Sequence, residues 1–521
     1  MERVRYVADN ATELKLPQAV QRLMLLVRWC IAPASINYWL RTVPPAVIRP
    51  FAQVFDSEVY TLVRSIIGVR EDARLEASTP LGKLVKARVH LPTKYGGLGL
   101  ASAVDTSVAA YVGSLALTGP LIGPVLGPLF DPARDGASVL PALDAILRAG
   151  TLSELDSPEI TGITCASIFE PPKTTQRPPI QRMITAELSR KELTAVLNLI
   201  DSPQDKAELL SGGGEGGAFL YANPAKYEYR INDGVMAAKI MQRIGAPVCD
   251  LTLGQRCPLC KKPDPFITAA GGHAFCCDQP GAGGAKGGRG RRHAHVLHVL
   301  SDAMESVSKY AAKVKREPPL KDVPGWSVKA GAEGSPAATL DGPRGDILFY
   351  VQSVNKHIVG DLIITHPRVD RTPACANTDG AAADKAYDAK LASYKARFNF
   401  PERGFVPLAM ETGGRMHPSF RDYIRKFILY YLGTDKYDGL EKEQRANYSK
   451  HVRHIITSVS VAAARTTGLS LLYLKDACAA ARAPPGVEAL PTQLATPVVI
   501  AASGASGEQA AGGAPLAAAD D

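Results

Sequence analysis

The chain has 521 residues, of which 46% are hydrophobic and 21% charged. This length and composition predict two to four folded domains and exclude a wholly disordered chain. Lys and Arg outnumber Asp and Glu by 60 to 51, and the resulting net charge of +9 favours a polyanionic partner. Nine cysteines at low density, and a start (MERVRYVADN) without an apolar core, predict an intracellular chain without a disulfide framework.

The first third of the chain has helical periodicity. Apolar residues recur at helical spacing from Leu16 to Ile31 and again after Pro44-Pro45, a pair that typically separates two helices. The segment 106–130 carries no charge and is long enough to span a bilayer, but three Gly-Pro pairs interrupt it. We therefore expect a buried helix from Ala101 to Leu117, followed by a Pro/Gly loop, and no membrane partner.

Helices and strands alternate in the second half. The patterns predict helices at 182–200, 231–244, 381–398, 418–432 and 441–467, and strands at 346–351, 357–365 and 405–411. The segment 292–313 is amphipathic. The glycine-rich segment 281–290 is typical of a flexible loop. The residues from Ala483 onward are predicted to be disordered, because they cannot bury enough apolar surface to order themselves.

Cysteine spacing gives the strongest single motif. Cys257 and Cys260 form a C-x2-C turn, and His273 and Cys277 follow on a second arm after twelve intervening residues. Two thiolates on a turn plus a His and a Cys can close a tetrahedral zinc shell, which would be structural because four protein ligands leave no open position. Cys276 competes with Cys277 for the fourth place, and His293, His295 and His298 offer further nitrogens nearby. The alternative is four unrelated thiols.

Two aspartates are predicted to meet across a β-hairpin. Suppose that the strands containing Asp346 and Asp361 are joined by a loop centred on Ser353-Val354. The numbers of any two residues that face each other across the hairpin then sum to 707. The numbers 346 and 361 have this sum, so the two aspartates would face each other. Their Cβ atoms would lie roughly 4.5–5.5 Å apart. Such like charges need an offset, which an oxygen-ligated divalent cation provides. A register shift of one residue would remove the argument, and the alternative is two surface aspartates.

The helix after these strands adds a lysine and a tyrosine. Lys390 and Tyr394 are four residues apart and therefore share a helix face. A lysine at a two-carboxylate metal site can polarise the attacking water and stabilise charge on a phosphate. The alternative is a solvated helix face with a packed tyrosine. Glu411, at the end of the strand 405–411, is either a peripheral ligand or a cap for a helix.

Positive charge is concentrated around the glycine-rich segment. Residues 281–330 contain ten Lys or Arg and four Asp or Glu. This balance predicts a nucleic-acid-facing stripe. Its members would be Arg289, Arg291, Arg292, Lys313, Lys315 and Arg316.

The order of these motifs resembles a known family. LLVRWCIAPASINYWLRTVPP, LPTKYGGLGLAS, CPLC with GGHAFCC and RRH, RGDILFY, VGDLIITHP, KLASY and FVPLAMETGG follow one another over roughly residues 10–470. The series is similar to the region after the polymerase palm in non-LTR retrotransposon reverse transcriptases that carry a restriction-like endonuclease. In that family a helical thumb, a linker, a zinc knuckle and a PD-(D/E)XK nuclease follow the palm, and the nuclease nicks target DNA to prime reverse transcription.

The resemblance implies a multidomain α+β protein with a helical N-terminal half, a small zinc knuckle, an α/β PD-(D/E)XK-like nuclease core and a disordered C-terminal tail. The implied regions are a helical thumb-like region at 1–155, a linker at 156–248 and a zinc knuckle with its basic loop at 249–295. A nuclease at 296–478 and a tail at 479–521 would follow.

Residue roles also follow from the resemblance. Asp346 and Asp361 would bind Mg²⁺, Lys390 would be the catalytic lysine, and Tyr394 its companion. DNA would be the partner, with element RNA as a second one, rather than a small-molecule substrate, and the location would be nuclear.

The chain departs from the family in three respects. Gly345 stands where a proline is expected, and no lysine follows Asp361 at the second position. No aromatic-x-Asp-Asp palm motif is found, so the chain is not expected to polymerise DNA by itself. It would be a fragment of an element, part of a mis-split gene or a remnant retained by the host. Three hypotheses remain open: a DNA endonuclease, a remnant that binds nucleic acid without cutting it, and an untranslated gene.

Overall fold

The computed structural model describes residues 17–31, 35–150, 157–170, 180–250, 256–261, 270–277, 288–308, 312–329, 344–351 and 355–482, and the single positions 6, 10, 152 and 155. Most of the loop predicted at 281–290 lies outside the described residues. So does the predicted tail from residue 483 onward.

The first half of the described chain is helical. Its helices are α1 Ala19–Leu26, α2 Asn37–Thr42, α3 Pro45–Ile66, α4 Pro80–His90, α5 Ala103–Ile122, α6 Pro132–Val139, α7 Pro141–Arg148, α8 Pro158–Thr161, α9 Ile180–Asn198, α10 Pro203–Ser211 and α11 Asp233–Ile244. Local sequence explains several starts. The Thr79 and Ser202 side chains accept the backbone N–H of Gly82 and Asp205 at 2.9 and 3.2 Å, and a proline opens each of these helices.

Helix α5 is longer than the sequence predicted. It continues through Pro120 to Ile122 before a 3₁₀ turn at Gly123–Leu126. The predicted end at Leu117 is therefore wrong: a proline so near the end of a helix costs less than one in its middle, since few hydrogen bonds follow it.

Two described segments are long and apolar enough to cross a membrane by length and composition. The first comprises α5 and the turn after it, Ala103–Leu126, and 28% of its most apolar window is buried within the protein. The second is the last described helix, α15 Lys442–Ala480, where the buried share is 61%, as is common for a core helix of a soluble protein.

The second half contains the main sheet. The remaining elements are α12 Gly288–Ser308, β1 Ala312–Arg316, β2 Ser327–Val328, β3 Ile347–Val351, β4 Lys356–Thr365, α13 Ala381–Arg397, β5 Phe398–Asn399, β6 Phe405–Glu411, α14 Pro418–Tyr431 and α15. The four-stranded sheet has the order β1-β3-β4-β6, and β2 pairs separately with β5. The amphipathic segment 292–313 is divided between α12, which begins at Gly288, and β1.

Strand β4 is the centre of this sheet. It pairs antiparallel with β3 and parallel with β6. A parallel pair needs a crossover connection, and α13 lies within the crossover between β4 and β6. The apolar run of β3 is buried under the helices: Ile347 and Phe349 pack against α12, α14 and α15 and are fully buried.

Helix α15 joins two cores. Ile455 and Val459 contribute to the core under the main sheet, whereas Leu471 and Leu474 pack in the core formed by α1, α3, α11 and the cysteine-rich residues. The helix extends to Ala480, thirteen residues past its predicted end at Thr467. The mixed helix-and-sheet class is confirmed. Helix α15, most of which lies within the implied region 296–478, contributes to both cores.

Candidate metal cluster and carboxylate site

Four side chains form a compact cluster between α11 and α12. The ligand atoms of Cys257, Cys260, His273 and Cys277 all lie within 4.8 Å of one another, and Cys260 Sγ is 3.4 Å from His273 Nε2. A tetrahedral shell with Zn–S bonds of 2.3 Å would place its sulfur ligands about 3.8 Å apart. The donor set and its spacing therefore fit a structural zinc ion.

The structure resolves which neighbouring cysteine belongs to the cluster. Cys277 contributes a ligand atom, whereas Cys276 Sγ lies 3.5 Å from the carbonyl oxygen of His273 and 3.9 Å from Arg368 Nη1. Adjacent residues leave the backbone in different directions, so only one of the two can reach the centre. The fourth candidate ligand is Cys277.

Local interactions favour the ionised thiol that a metal requires. The hydrogen bond between Cys257 and Cys277 is the main cause that lowers the pKa of Cys257 to about 3. A hydrogen bond with His273 also lowers this pKa, whereas burial acts to raise it. A thiolate is the form of cysteine that binds zinc.

The three histidines after the cluster do not join it. His293 contacts Asp346, and His298 lies 3.2 Å from the Asp302 carboxylate and contacts Arg316. Burial lowers the pKa of His295 to about 4. The expectation of further nitrogen ligands is wrong because these residues lie on α12, which directs His293 toward the sheet.

The predicted hairpin register is confirmed. Strands β3 and β4 pair with Ile347 opposite Gly360, so their opposed residue numbers sum to 707. The paired residues end at Ile347, and the backbone N–H of Asp346 donates to the Gly360 carbonyl at 3.2 Å rather than to Asp361. Asp346 therefore lies just beyond the end of the paired strands, and its carboxylate is within hydrogen-bonding reach of the Asp361 carboxylate. We refer to these two residues as the carboxylate pair.

Asp346 is held by the strand and by α12. Its Oδ2 accepts the Leu362 N–H at 2.6 Å and lies 3.1 Å from His293 Nε2, which is also 3.0 Å from the Leu362 carbonyl. Burial acts to raise the pKa of Asp346, but the hydrogen bond and charge of His293 outweigh it and leave that pKa below its usual value. The same hydrogen bond raises the pKa of His293, against the effect of burial.

Asp361 is held by α13. Lys390 Nζ lies 3.0 Å from its Oδ1, and the Tyr394 hydroxyl donates to its Oδ2. Burial, and secondly the charge of Asp346, raise the pKa of Asp361 to about 6, although Lys390 and Tyr394 act in the opposite direction. The structure thus brings Asp346, Asp361, Lys390 and Tyr394 together. Their catalytic and magnesium-binding roles stay predictions.

Tyr394 is fixed by aromatic packing. Its ring stacks on Phe405 with centroids 4.0 Å apart and meets Trp326 edge-on at 6.3 Å. Burial and the neighbouring Asp361 raise the pKa of its hydroxyl, so it remains a hydrogen-bond donor at neutral pH. Lys390 differs, because about a third of its side chain is exposed to solvent.

Gly345 has a physical reason to replace the expected proline. Its N–H donates to the Pro318 carbonyl at 3.1 Å, a bond that proline cannot make. A Cβ at this position would also lie 2.4 Å from Val359 Cγ1. The departure therefore preserves the backbone beside Asp346.

Glu411 is a helix cap. Its Oε1 accepts the N–H groups of Ala382 and Ala383 at 3.1 and 3.3 Å, at the start of α13. Residue 411 pairs with Thr365, at the far end of β4 from the hairpin, whereas Asp361 pairs with Pro407. The alternative of a ligand beside the carboxylate pair is therefore not supported.

The predicted basic stripe separates into two groups. Lys313, Lys315 and Arg316 are exposed on the edge strand β1. The other three lie on α12: Arg289 donates to the Cys276 carbonyl at 2.6 Å, Arg291 lies over the Tyr473 ring, and Arg292 is buried and donates to the Phe275 carbonyl at 2.7 Å. The prediction of a single exposed stripe is therefore wrong, because Arg292 is buried.

Sequence reasoning placed His293 at the wrong site. It lies 53 positions before Asp346, and no spacing rule connects a helix residue to a strand at that separation. The one available signal was its position at the start of an amphipathic segment rich in histidine.

Comparisons of the chain with known protein families, with curated proteins and with solved structures found no match.

Proposed function

We propose that the chain is a retrotransposon-derived, metal-dependent DNA endonuclease that nicks DNA at the carboxylate pair. The observation that carries this proposal is the convergence of Asp346, Asp361 and Lys390, which come from a hairpin and a later helix. A purely structural role for the half-buried Asp346 beside the buried Asp361 would be costly, because like charges repel where solvent is scarce.

The residues present are compatible with a divalent cation. Two carboxylates are the oxygen ligands that Mg²⁺ takes from a protein when substrate phosphate and water complete its shell. When bound, such a cation would supply positive charge to the phosphate and lower the pKa of water.

The protein's own groups would have distinct parts in hydrolysis. The partly exposed Lys390 ammonium can orient the attacking water and stabilise charge on the phosphate. Tyr394 fixes the direction of the Asp361 carboxylate, and His293 does so for Asp346. Hydrolysis adds a hydroxyl to phosphorus and breaks one P–O ester bond, and the leaving 3′ oxygen takes a proton.

The experiment is nicking of supercoiled plasmid by the full chain with Mg²⁺ or Mn²⁺. We expect Asp346→Asn and Lys390→Ala each to slow nicking by about 100-fold or more, the loss typical of removing one charge-stabilising group. Lys395→Ala is the matched control, because it removes an exposed lysine from the same helix and should leave the rate unchanged.

One observation favours a second candidate, a protein that binds nucleic acid without cutting it. His293, whose pKa is raised, already neutralises Asp346 at 3.1 Å, as a metal ion otherwise would. On this alternative the wild type binds DNA but leaves plasmid supercoiled with either metal, and Asp346→Asn binds as tightly as the wild type.

A further inference from the structure

A cavity of about 300 Å³ lies between the Cys/His cluster and the ends of β4 and α13. Five of its lining side chains are cationic, namely Arg289, Arg292, Arg368, Arg371 and Lys385. No carboxylate lines it among the residues that the structure describes. We call this space the basic cavity, and its charge suits an anion.

Arg292 provides an independent indication of a ligand. Its residue is only 4% exposed, and its Nη2 donates to the Phe275 carbonyl at 2.7 Å. Its Nη1 is buried and has no hydrogen-bond partner within the described part of the chain. Burial lowers the pKa of Arg292 to about 10, so the group stays charged at neutral pH. A buried, charged donor without a partner is destabilising, and an anion in the cavity would relieve this.

Neighbouring contacts hold two other cations in place. Arg368 is fixed by Asp370 through two contacts of 3.0 and 2.8 Å, and Lys385 Nζ donates to the Arg371 carbonyl at 2.6 Å. Because these contacts form within the protein, the cations are arranged before any ligand arrives. The planar, forked donors of arginine match the oxygens of a phosphate.

We propose that the basic cavity binds a backbone phosphate of the DNA strand that reaches the carboxylate pair. The cavity and the pair share two elements: Ala389, next to Lys390 on α13, lines the cavity, as does Ile364 of β4. Ile364 is three residues beyond Asp361, or roughly 10 Å along an extended strand. This distance corresponds to about three nucleotides at 3.4 Å of axial rise each. The assignment rests on the proposed nuclease function.

The test measures DNA affinity across a salt series, using the zinc-loaded full chain without added Mg²⁺ so that no cleavage occurs. The probe is a short fluorescent duplex with 5′-hydroxyl ends. The variant Arg371→Gln/Lys385→Gln changes two exposed residues, so it should fold. We expect the slope of log K against log salt to become shallower by about 0.9 for each phosphate that the variant no longer binds.

A matched control removes the same charge elsewhere. Lys395→Gln/Lys426→Gln changes two lysines that line a separate cavity of about 700 Å³, and its slope should stay at the wild-type value. Arg292→Lys keeps the charge but loses the forked donors, so its affinity should fall while its melting temperature shows that it folds. Equal slopes for the wild type and Arg371→Gln/Lys385→Gln would overturn the proposal.

Two further measurements test whether the basic cavity binds a terminal phosphate or free phosphate instead of a backbone phosphate. If a 5′-phosphorylated duplex binds more tightly than the hydroxyl form to the wild type only, the cavity takes a terminal phosphate. If inorganic phosphate raises the melting temperature of the wild type only and the salt slopes are equal, it takes free phosphate. Either result overturns the backbone assignment. Failure of the nuclease proposal looks different, since the slope would change while no plasmid is nicked.

Discussion

The two members of the carboxylate pair have different surroundings, although they face each other. Asp346 is stabilised as an anion by His293 and a backbone N–H, whereas Asp361 has a pKa raised to about 6. Interacting carboxyl groups whose environments differ commonly separate into one ionised and one proton-holding member. This asymmetry arises from the distinct elements, α12 and α13, that contact each aspartate.

Glu192 illustrates the same electrostatics away from the site and leads to a prediction. Burial, and secondly Asp105 and Asp56, raise its pKa to about 8. Because the folded state binds this proton more tightly than the unfolded state, its contribution to stability falls as pH rises from 4.5 to about 8. Glu192→Gln should therefore gain stability relative to the wild type across this range, by roughly 2–4 kcal/mol at its upper end.

Urea unfolding at several pH values checks this prediction. Glu71→Gln is the control, because that side chain is 93% exposed and its variant should follow the wild-type pH dependence. An advantage for Glu192→Gln that does not change with pH would contradict the electrostatic explanation.

At the scale of elements, helix α5 depends on a residue from another helix. Asp56 of α3 accepts the Ala103 N–H at 2.7 Å, the Val104 N–H at 3.2 Å and the Ser102 hydroxyl at 2.7 Å. The two N–H groups are among the donors that the first turn of a helix leaves unsatisfied, and a carboxylate there also interacts favourably with the helix dipole.

Replacing this cap should destabilise the helical half. We expect Asp56→Ala to cost about 2–3 kcal/mol, since it leaves buried donors without an acceptor. Asp56→Asn retains one acceptor oxygen and should cost less. The midpoint of urea unfolding measures both changes, and a midpoint for Asp56→Ala equal to that of the wild type would refute the capping role.

At the scale of the whole molecule, the Cys/His cluster connects the helical half to the main sheet. Cys257, Cys277 and Phe275 belong to the same core as α11 and α15. The carbonyls of Phe275 and Cys276 accept Arg292 and Arg289 from α12, which packs on the sheet. Disturbing the cluster should therefore affect both halves.

Zinc removal tests this connection. Cys257→Ser and Cys277→Ser should lose the metal, which we expect at about one zinc per chain, and should lower the melting temperature and the DNA affinity. Cys276→Ser is the matched control and should keep the zinc, because Cys276 is outside the cluster. Metal analysis with thermal unfolding gives the result. Zinc loss from Cys276→Ser but not from Cys277→Ser would reverse the ligand assignment.

Local sequence determined most helices and strands. It also determined two features of the candidate sites, namely the proximity of the two aspartates and the set of zinc ligands. The strand at Phe405–Glu411 matches its predicted bounds, since its apolar run ends at a Gly-Gly pair. The register of β3 and β4, which brings Asp346 near Asp361, followed from period-two strand geometry, and the four candidate zinc ligands followed from their spacing. These inferences depend on short-range geometry, which a sequence carries directly.

Only the tertiary structure decided the rest. It placed His293 at the carboxylate pair rather than the metal cluster, made Glu411 a cap, chose Cys277 over Cys276, and buried Arg292. It also showed that α15 continues past its predicted end and packs in two cores. Each outcome depends on how elements far apart in the chain pack against one another, and the orientation of a helix on a sheet is set by its total buried surface rather than by the spacing of any few residues.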